Sequence, residues 1–155
     1  MSRSKYFLFL LTLFILLFTS CSNPINKEKE NNYYYTNQLS KHLTLDKNIS
    51  GNVMDTNFYK ELELSKDSIT TIKDFIHNLK KGNFIDLPKD LPNKPKFKLY
   101  LNFDKEKYVI NIYTEKYISI YPWDGDYSMD YIDMTGVYLN YNLYGLCINS
   151  FSKGS

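Results

Sequence analysis

The sequence is short of the residues from which catalytic centres and metal sites are usually assembled. Its 155 residues include two histidines, two cysteines and six glycines. There is no paired-histidine metal motif, no Cys-x-x-Cys and no glycine-rich phosphate loop, so the chemistries those spacings serve have nothing to build on. His42 and His77 fall on two different predicted helices, with no serine or cysteine nucleophile pattern beside either. His77, between Ile76 and Asn78, reads as a helix-surface residue. The expectation is a protein that is not an enzyme and carries no cofactor. An enzyme built on carboxylates alone is the catalytic alternative.

Excess charge is missing too. The formal net charge is +2, from 19 basic and 17 acidic residues, and Arg3 and Lys5 account for the whole excess. The chain after residue 20 is neutral, which gives nucleic acid no electrostatic handle and provides no polybasic membrane patch. A long apolar run is the third absence. Tyr6 to Phe18 has thirteen residues without a charge, short of the ~20 apolar residues that cross a bilayer as a helix.

What is present at the N-terminus has the parts of a secretory signal: a basic start at Arg3 and Lys5, the apolar Tyr6–Phe18 stretch and small residues before a cut site. It ends in Leu17-Phe18-Thr19-Ser20-Cys21, and the last four residues resemble the lipobox of bacterial lipoproteins. Thr19 and Ser20 fit the small positions, while Phe18 stands where leucine is commonest. The resemblance implies that Cys21 receives a diacylglycerol, that residues 1–20 are removed, and that the new amino group is often acylated as well. Each buried methylene adds ~0.8 kcal/mol, so two chains hold a protein where one does so only marginally. The expected location is the extracytoplasmic face of the cell membrane, with the bilayer as partner through Cys21. Richness in Asn, Lys, Ile and Tyr, taken with the lipobox, suggests a low-GC, Gram-positive source.

Lipidation of Cys21 leaves Cys147 without a partner, so no disulfide framework is expected. Cys147 sits among Leu143, Leu146 and Ile148 and reads as a buried, inert thiol. Three parts follow: a signal over 1–20, the lipidated cysteine and a flexible tether over 21–32, and one globular domain over 33–155. Ser22 to Asn32 is polar, with alternating Lys and Glu, and too poor in apolar residues to fold. Eleven such residues span about 18 Å on average, so the domain stays near the bilayer.

Within the domain, Tyr35, Leu39, His42 and Leu43 predict a short helix over 34–43. Residues 49–57 read as loop and 58–64 as an edge strand. Ile69, Ile72, Phe75, Ile76 and Leu79 form one helical stripe after a cap at Ser65 or Asp67. Lys80 and Lys81 are placed in its last turn, and Gly82 as its C-terminal cap. Pro88, Pro92 and Pro95 make 86–95 a loop. The period then changes to two. Phe97, Leu99, Leu101 and Phe103 face one way; Tyr108, Ile110 and Ile112, then Ile118 and Ile120, continue the pattern. A Pro122–Gly125 turn leads to a fourth strand over 127–134, and Leu139 to Cys147 suggest a closing helix. The predicted fold is α+β: an amphipathic helix packed on a four-stranded antiparallel β-meander, with short flanking helices.

Two stretches invite a functional reading. Asp124, Asp126 and Asp130 could offer oxygens to calcium, but the spacing departs from an EF-hand: Gly125 is second where the sixth position is needed, and Thr135 stands where a closing Glu belongs. A hairpin turn with solubilising acids is the simpler reading, so no metal is expected. The alternation also puts Tyr100, Tyr113, Tyr117 and Tyr121 on the face away from the helix, with Trp123 at its rim. Such a face is either a recognition surface or a second packing layer under the N-terminal or closing helix.

From Ile69 to Ile148, the helix, the proline-rich loop and the Tyr-Pro-Trp-Asp-Gly and Tyr-Asn-Leu-Tyr-Gly-Leu-Cys segments resemble a family of small clostridial lipoproteins of unknown function. That resemblance implies export and lipidation and carries over no catalytic residue. The expectation is a non-enzymatic binding module of the cell envelope, whose partner is an envelope protein, a peptide or a wall component. An immunity or inhibitor lipoprotein, a small solute-binding domain and a carboxylate-based enzyme are the alternatives.

Overall fold

The computed structural model describes residues 29–153. Cys21, the signal segment and residues 22–28 of the expected tether lie outside them. Three α-helices and seven strands are formed among the described residues: α1 (Tyr34–Leu45), β1 (Ser50–Asp55), β2 (Lys60–Glu63), α2 (Lys66–Asn78), β3 (Phe84–Ile85), β4 (Phe97–Asn102), β5 (Lys107–Ile112), β6 (Tyr117–Pro122), β7 (Asp130–Asp133) and α3 (Leu143–Lys153). No helix among them is long and apolar enough to cross a membrane.

The meander β4-β5-β6-β7 forms where period-two alternation is strongest, with Leu99 opposite Ile110, Ile110 opposite Ile120 and Ile118 opposite Ile132. The sheet is larger than the four strands expected. Its order is β2-β1-β4-β5-β6-β7-β3, antiparallel throughout. β1 occupies the stretch read as loop. Only Val53 in Ser50–Asp55 carries a buried apolar strand side chain, and Gly51 hides the pattern further. That glycine has a steric reason: a Cβ there would lie 2.3 Å from the Tyr100 carbonyl oxygen, so the β1 and β4 backbones can meet only without one. β3 has two residues, too few for any periodicity. β2 is the edge strand expected near that position.

All three helices pack on one face. Leu39 and Leu43 of α1, Ile72, Phe75 and Ile76 of α2, and Leu143 and Cys147 of α3 share one core with Val53, Leu99, Ile110, Ile118 and Ile132 of the sheet. Each such side chain contributes roughly 1.5–3 kcal/mol on burial. The stripe on α2 is as expected, and Ser65 is its cap, its Oγ accepting from Ser68 N at 3.1 Å. The other end differs. α2 stops at Asn78, Leu79 is extended, and Lys81–Asn83 form a separate 3₁₀ turn. Asn83 causes the stop: Oδ1 accepts from Lys80 N, and Nδ2 donates to the Asp133 carbonyl, turning the chain onto β7. Gly82 is therefore no left-handed cap; the one described glycine with positive φ is Gly136. The closing helix begins at Leu143, where Asn142 Oδ1 caps it by accepting from Tyr144 N and Gly145 N.

Candidate functional site

With every helix on one side, the alternation leaves the other side of the sheet without a helix over it; Val109, Asn111 and Ser119 at its centre are buried among their neighbours, and Tyr100, Tyr113, Tyr121 and Tyr131 are part-exposed. Two cross-strand rows organise it. Asn52, Tyr100, Val109 and Tyr121 stand opposite one another across β1, β4, β5 and β6. Lys98, Asn111, Ser119, Tyr131 and Ile85 form the next row, running to the β3 edge. Tyr113 and Tyr117 lie past the end of that row. Neither helix that could have lain across this face does so: α1 and α3 both belong to the opposite core.

The centre of this face is polar and tightly held. Asn111 Nδ2 donates to Ser119 Oγ at 3.2 Å, and Ser119 Oγ donates to the Met129 sulfur, also at 3.2 Å. Tyr113 hydroxyl lies 3.5 Å from Ser119 Oγ. Asn111 Oδ1 is buried with no hydrogen-bond partner among the described residues, an acceptor left for a donor from solvent or ligand. Burial raises the phenol pKa values of Tyr100, Tyr121 and Tyr131, reinforced for each by a neighbouring tyrosine, while Asn111 acts in the opposite sense on Tyr121. The hydroxyls therefore remain protonated donors. At the rim, Trp123 is 62% exposed and tilted toward Tyr100 with ring centroids 6.2 Å apart. Lys107 Nζ lies 4.9 Å from the Trp123 ring centroid and 5.2 Å from that of Tyr100.

Tyr100, Tyr113, Tyr117, Tyr121 and Trp123 are thus brought to one face, but Tyr117 is only 9% exposed, with Lys116 Nζ 4.6 Å from its ring centroid. It packs more than it presents. The sequence reading left out Tyr131, Asn111, Ser119 and Met129. The first three share the alternation that selected the tyrosines; Met129 comes from a loop and has no such signal.

The acidic turn does not assemble. Asp124 and Asp126 are exposed, whereas Asp130 is fully buried on the helix side. There its Oδ2 accepts from Thr36 N at 2.7 Å and Thr36 Oγ1 at 2.8 Å, and Lys29 Nζ lies 2.5 Å from Oδ1. The strand starting at Asp130 sends this side chain inward and away from the other two acids. No group of three His, Cys, Asp or Glu side chains is placed to hold a metal among the described residues. His42 sits between Asp46, 2.9 Å from Nδ1, and Glu106, 3.2 Å from Nε2. Cys147 is fully buried, and burial pushes its thiol pKa well up.

Lys29 is the residue sequence reading most misplaced. The expected tether ran to Asn32, yet the chain is fastened from Lys29 onward. Lys29 Nζ also donates to the Ser128 and Met129 carbonyls at 2.9 and 3.2 Å, and Asn32 Nδ2 donates to the Phe84 carbonyl.

These features define an α+β protein with one antiparallel sheet, helices on a single side and a tyrosine-rich face on the other. The chain belongs to the family described as a domain of unknown function (DUF4883), whose profile matches residues 29–147. The crystal structure of a "putative lipoprotein" from Clostridium perfringens is similar, with a TM-score of 0.73 and 34% sequence identity, covering 81% of this chain and 99% of that one. No curated protein matches.

Proposed function

We propose that the protein is a lipoprotein, held on the extracytoplasmic face of the membrane through an acylated Cys21, and that it works without catalysis as a binding module of the cell envelope. The lipobox-like Phe18-Thr19-Ser20-Cys21 and the Clostridium perfringens relative described as a lipoprotein support the anchor. The placement of all three helices on one side of the sheet carries the binding reading. It leaves Tyr100, Tyr113, Tyr121, Tyr131 and Trp123 on a face that no described helix covers. Aromatic side chains combine large contact area with low conformational entropy, and recognition surfaces are enriched in them. The partner is an envelope protein, a peptide or a wall component.

The test is capture from native envelopes by the full chain, compared with the Tyr113→Ala, Tyr121→Ala double variant. A partner retained by the parent and lost by the variant, with unchanged circular dichroism, supports the reading. Equal retention removes the tyrosine-rich face from it.

A further inference from the structure

Where the described chain begins bears on how the domain lies on the membrane. Lys29 is fixed at three points, by hydrogen bonds to the Ser128 and Met129 carbonyls and by an ion pair with the Asp130 carboxylate. Beside it, at the β3–β7 edge of the tyrosine-rich face, is a shallow hollow of about 380 Å³. Ile85, Leu87, Met129 and Tyr131 give it an apolar lining, and Leu87 is 61% exposed. Only residues 22–28 separate Lys29 from Cys21. Fully extended, that length reaches at most about 29 Å. A compact domain of this size is about 35 Å across. The edge that carries Lys29 therefore always stays within that reach of any anchor at Cys21, whereas the far edge can lie beyond it.

The geometry points to the Ile85–Leu87–Met129–Tyr131 patch as a bilayer contact, resting in the headgroup layer of the leaflet that holds the lipid. This inference rests on the acylation of Cys21 argued above. The chemistry of the patch is that of the membrane interface: apolar side chains flanked by a tyrosine, which places a ring at the headgroup level. Asn31, Asn32, Ser128 and the exposed Asp86 form its polar border, and neutral headgroups suit it better than anionic ones, because Lys29 is already paired with Asp130 and Asp86 adds a negative charge. The contact tilts the domain so that the opposite edge, β2, points away from the membrane. The wide aromatic face is then presented along the membrane surface and remains available to a partner.

The chain has a single tryptophan, so a reporter can be moved. In a Trp123→Phe background, Leu87→Trp places the fluorophore in the patch, and the full lipidated chain is reconstituted into phosphatidylcholine vesicles with and without brominated acyl chains. The expected result is co-flotation with the vesicles and a fall in emission of about twofold or more, as for a side chain 5–10 Å into the interface. The unaltered chain provides an independent readout. Amides of 84–87 exchange more slowly on vesicles than in the unanchored Cys21→Ser chain, and those of Lys60–Glu63 at the far edge exchange equally. Co-flotation without quenching and without that protection overturns the patch while leaving the anchor intact. Failure to float overturns the anchor and this inference with it. Protection that needs high protein concentration and no lipid assigns the patch to a second copy of the chain, which also overturns the proposal.

Discussion

The ammonium of Lys29 lies 2.5 Å from Oδ1 of Asp130, a carboxylate with no solvent exposure whose other oxygen is held by Thr36. One contact therefore ties the first described residue to the start of β7 and the first turn of α1. Breaking such a pair from one side strands the other charge. Lys29→Met should cost about 3 kcal/mol at neutral pH. Urea unfolding of the parent and the variant measures it.

The same pair sets a pH dependence. Burial is the largest influence on Asp130 and raises its pKa, outweighing the opposing pull of Lys29 and Thr36. A carboxyl that binds its proton more tightly folded than unfolded favours the folded state in acid; its contribution falls as pH rises from the unfolded value through the folded one. Without Lys29 the pKa rises further. The penalty of Lys29→Met should accordingly shrink as the pH is lowered through the folded-state pKa of Asp130, and unfolding curves collected across the acid range read this directly. A penalty constant with pH would show that Asp130 carries no charge in the parent.

Gly51→Ala should destabilise by about 2 kcal/mol. The added methyl meets a backbone oxygen of β4, which cannot swing aside as a side-chain end could. Faster amide exchange confined to β1 and β2, with β5 and β6 unchanged, would accompany the lower urea midpoint.

Cys147 should be inert in the folded protein. Its thiol is fully enclosed and the thiolate is disfavoured by burial. In the Cys21→Ser chain, modification by an aromatic disulfide reagent should run about a thousandfold or more slower than in urea, because reaction waits for opening of the core. A native rate close to the unfolded one would mean that α3 is not packed as described.

Phe75→Ala removes the ring at the centre of the α2 stripe, fully buried in the parent. A loss of about 4 kcal/mol in unfolding free energy is expected.

The parts of this fold legible in the sequence are those in which side chains alone determine the period. Phe97, Leu99 and Leu101, then Ile110, Ile118 and Ile120, alternate so regularly that the meander and its tyrosine side follow. Ile72, Phe75 and Ile76 do the same for α2. β1 escaped because its backbone fit to β4 demands a glycine, and glycine erases the alternation that would have announced the strand. β3 escaped by brevity. The end of α2 was misread because Asn83, bonded to a carbonyl fifty residues away, outcompetes a cap at Gly82. At the candidate site, alternation places Tyr117 on the tyrosine face but does not show that Lys116, its immediate neighbour, folds over the ring. Asp130 was grouped with Asp124 and Asp126 because side-chain direction depends on where β7 starts, which alternation alone placed three residues too early. Lys29 sits in a stretch of ordinary polar composition, and its partners are about a hundred residues distant.

Oxidative footprinting of the full chain in native membranes, set against the purified protein, tests the tyrosine-rich face most directly. The account predicts that Tyr100, Tyr113, Tyr121 and Trp123 are modified more slowly in the membrane sample, while the exposed Tyr59 and Tyr138 on other surfaces react equally in both. Equal modification of the face in the two samples would contradict it, because an aromatic surface that meets no partner in its own envelope is not a recognition surface.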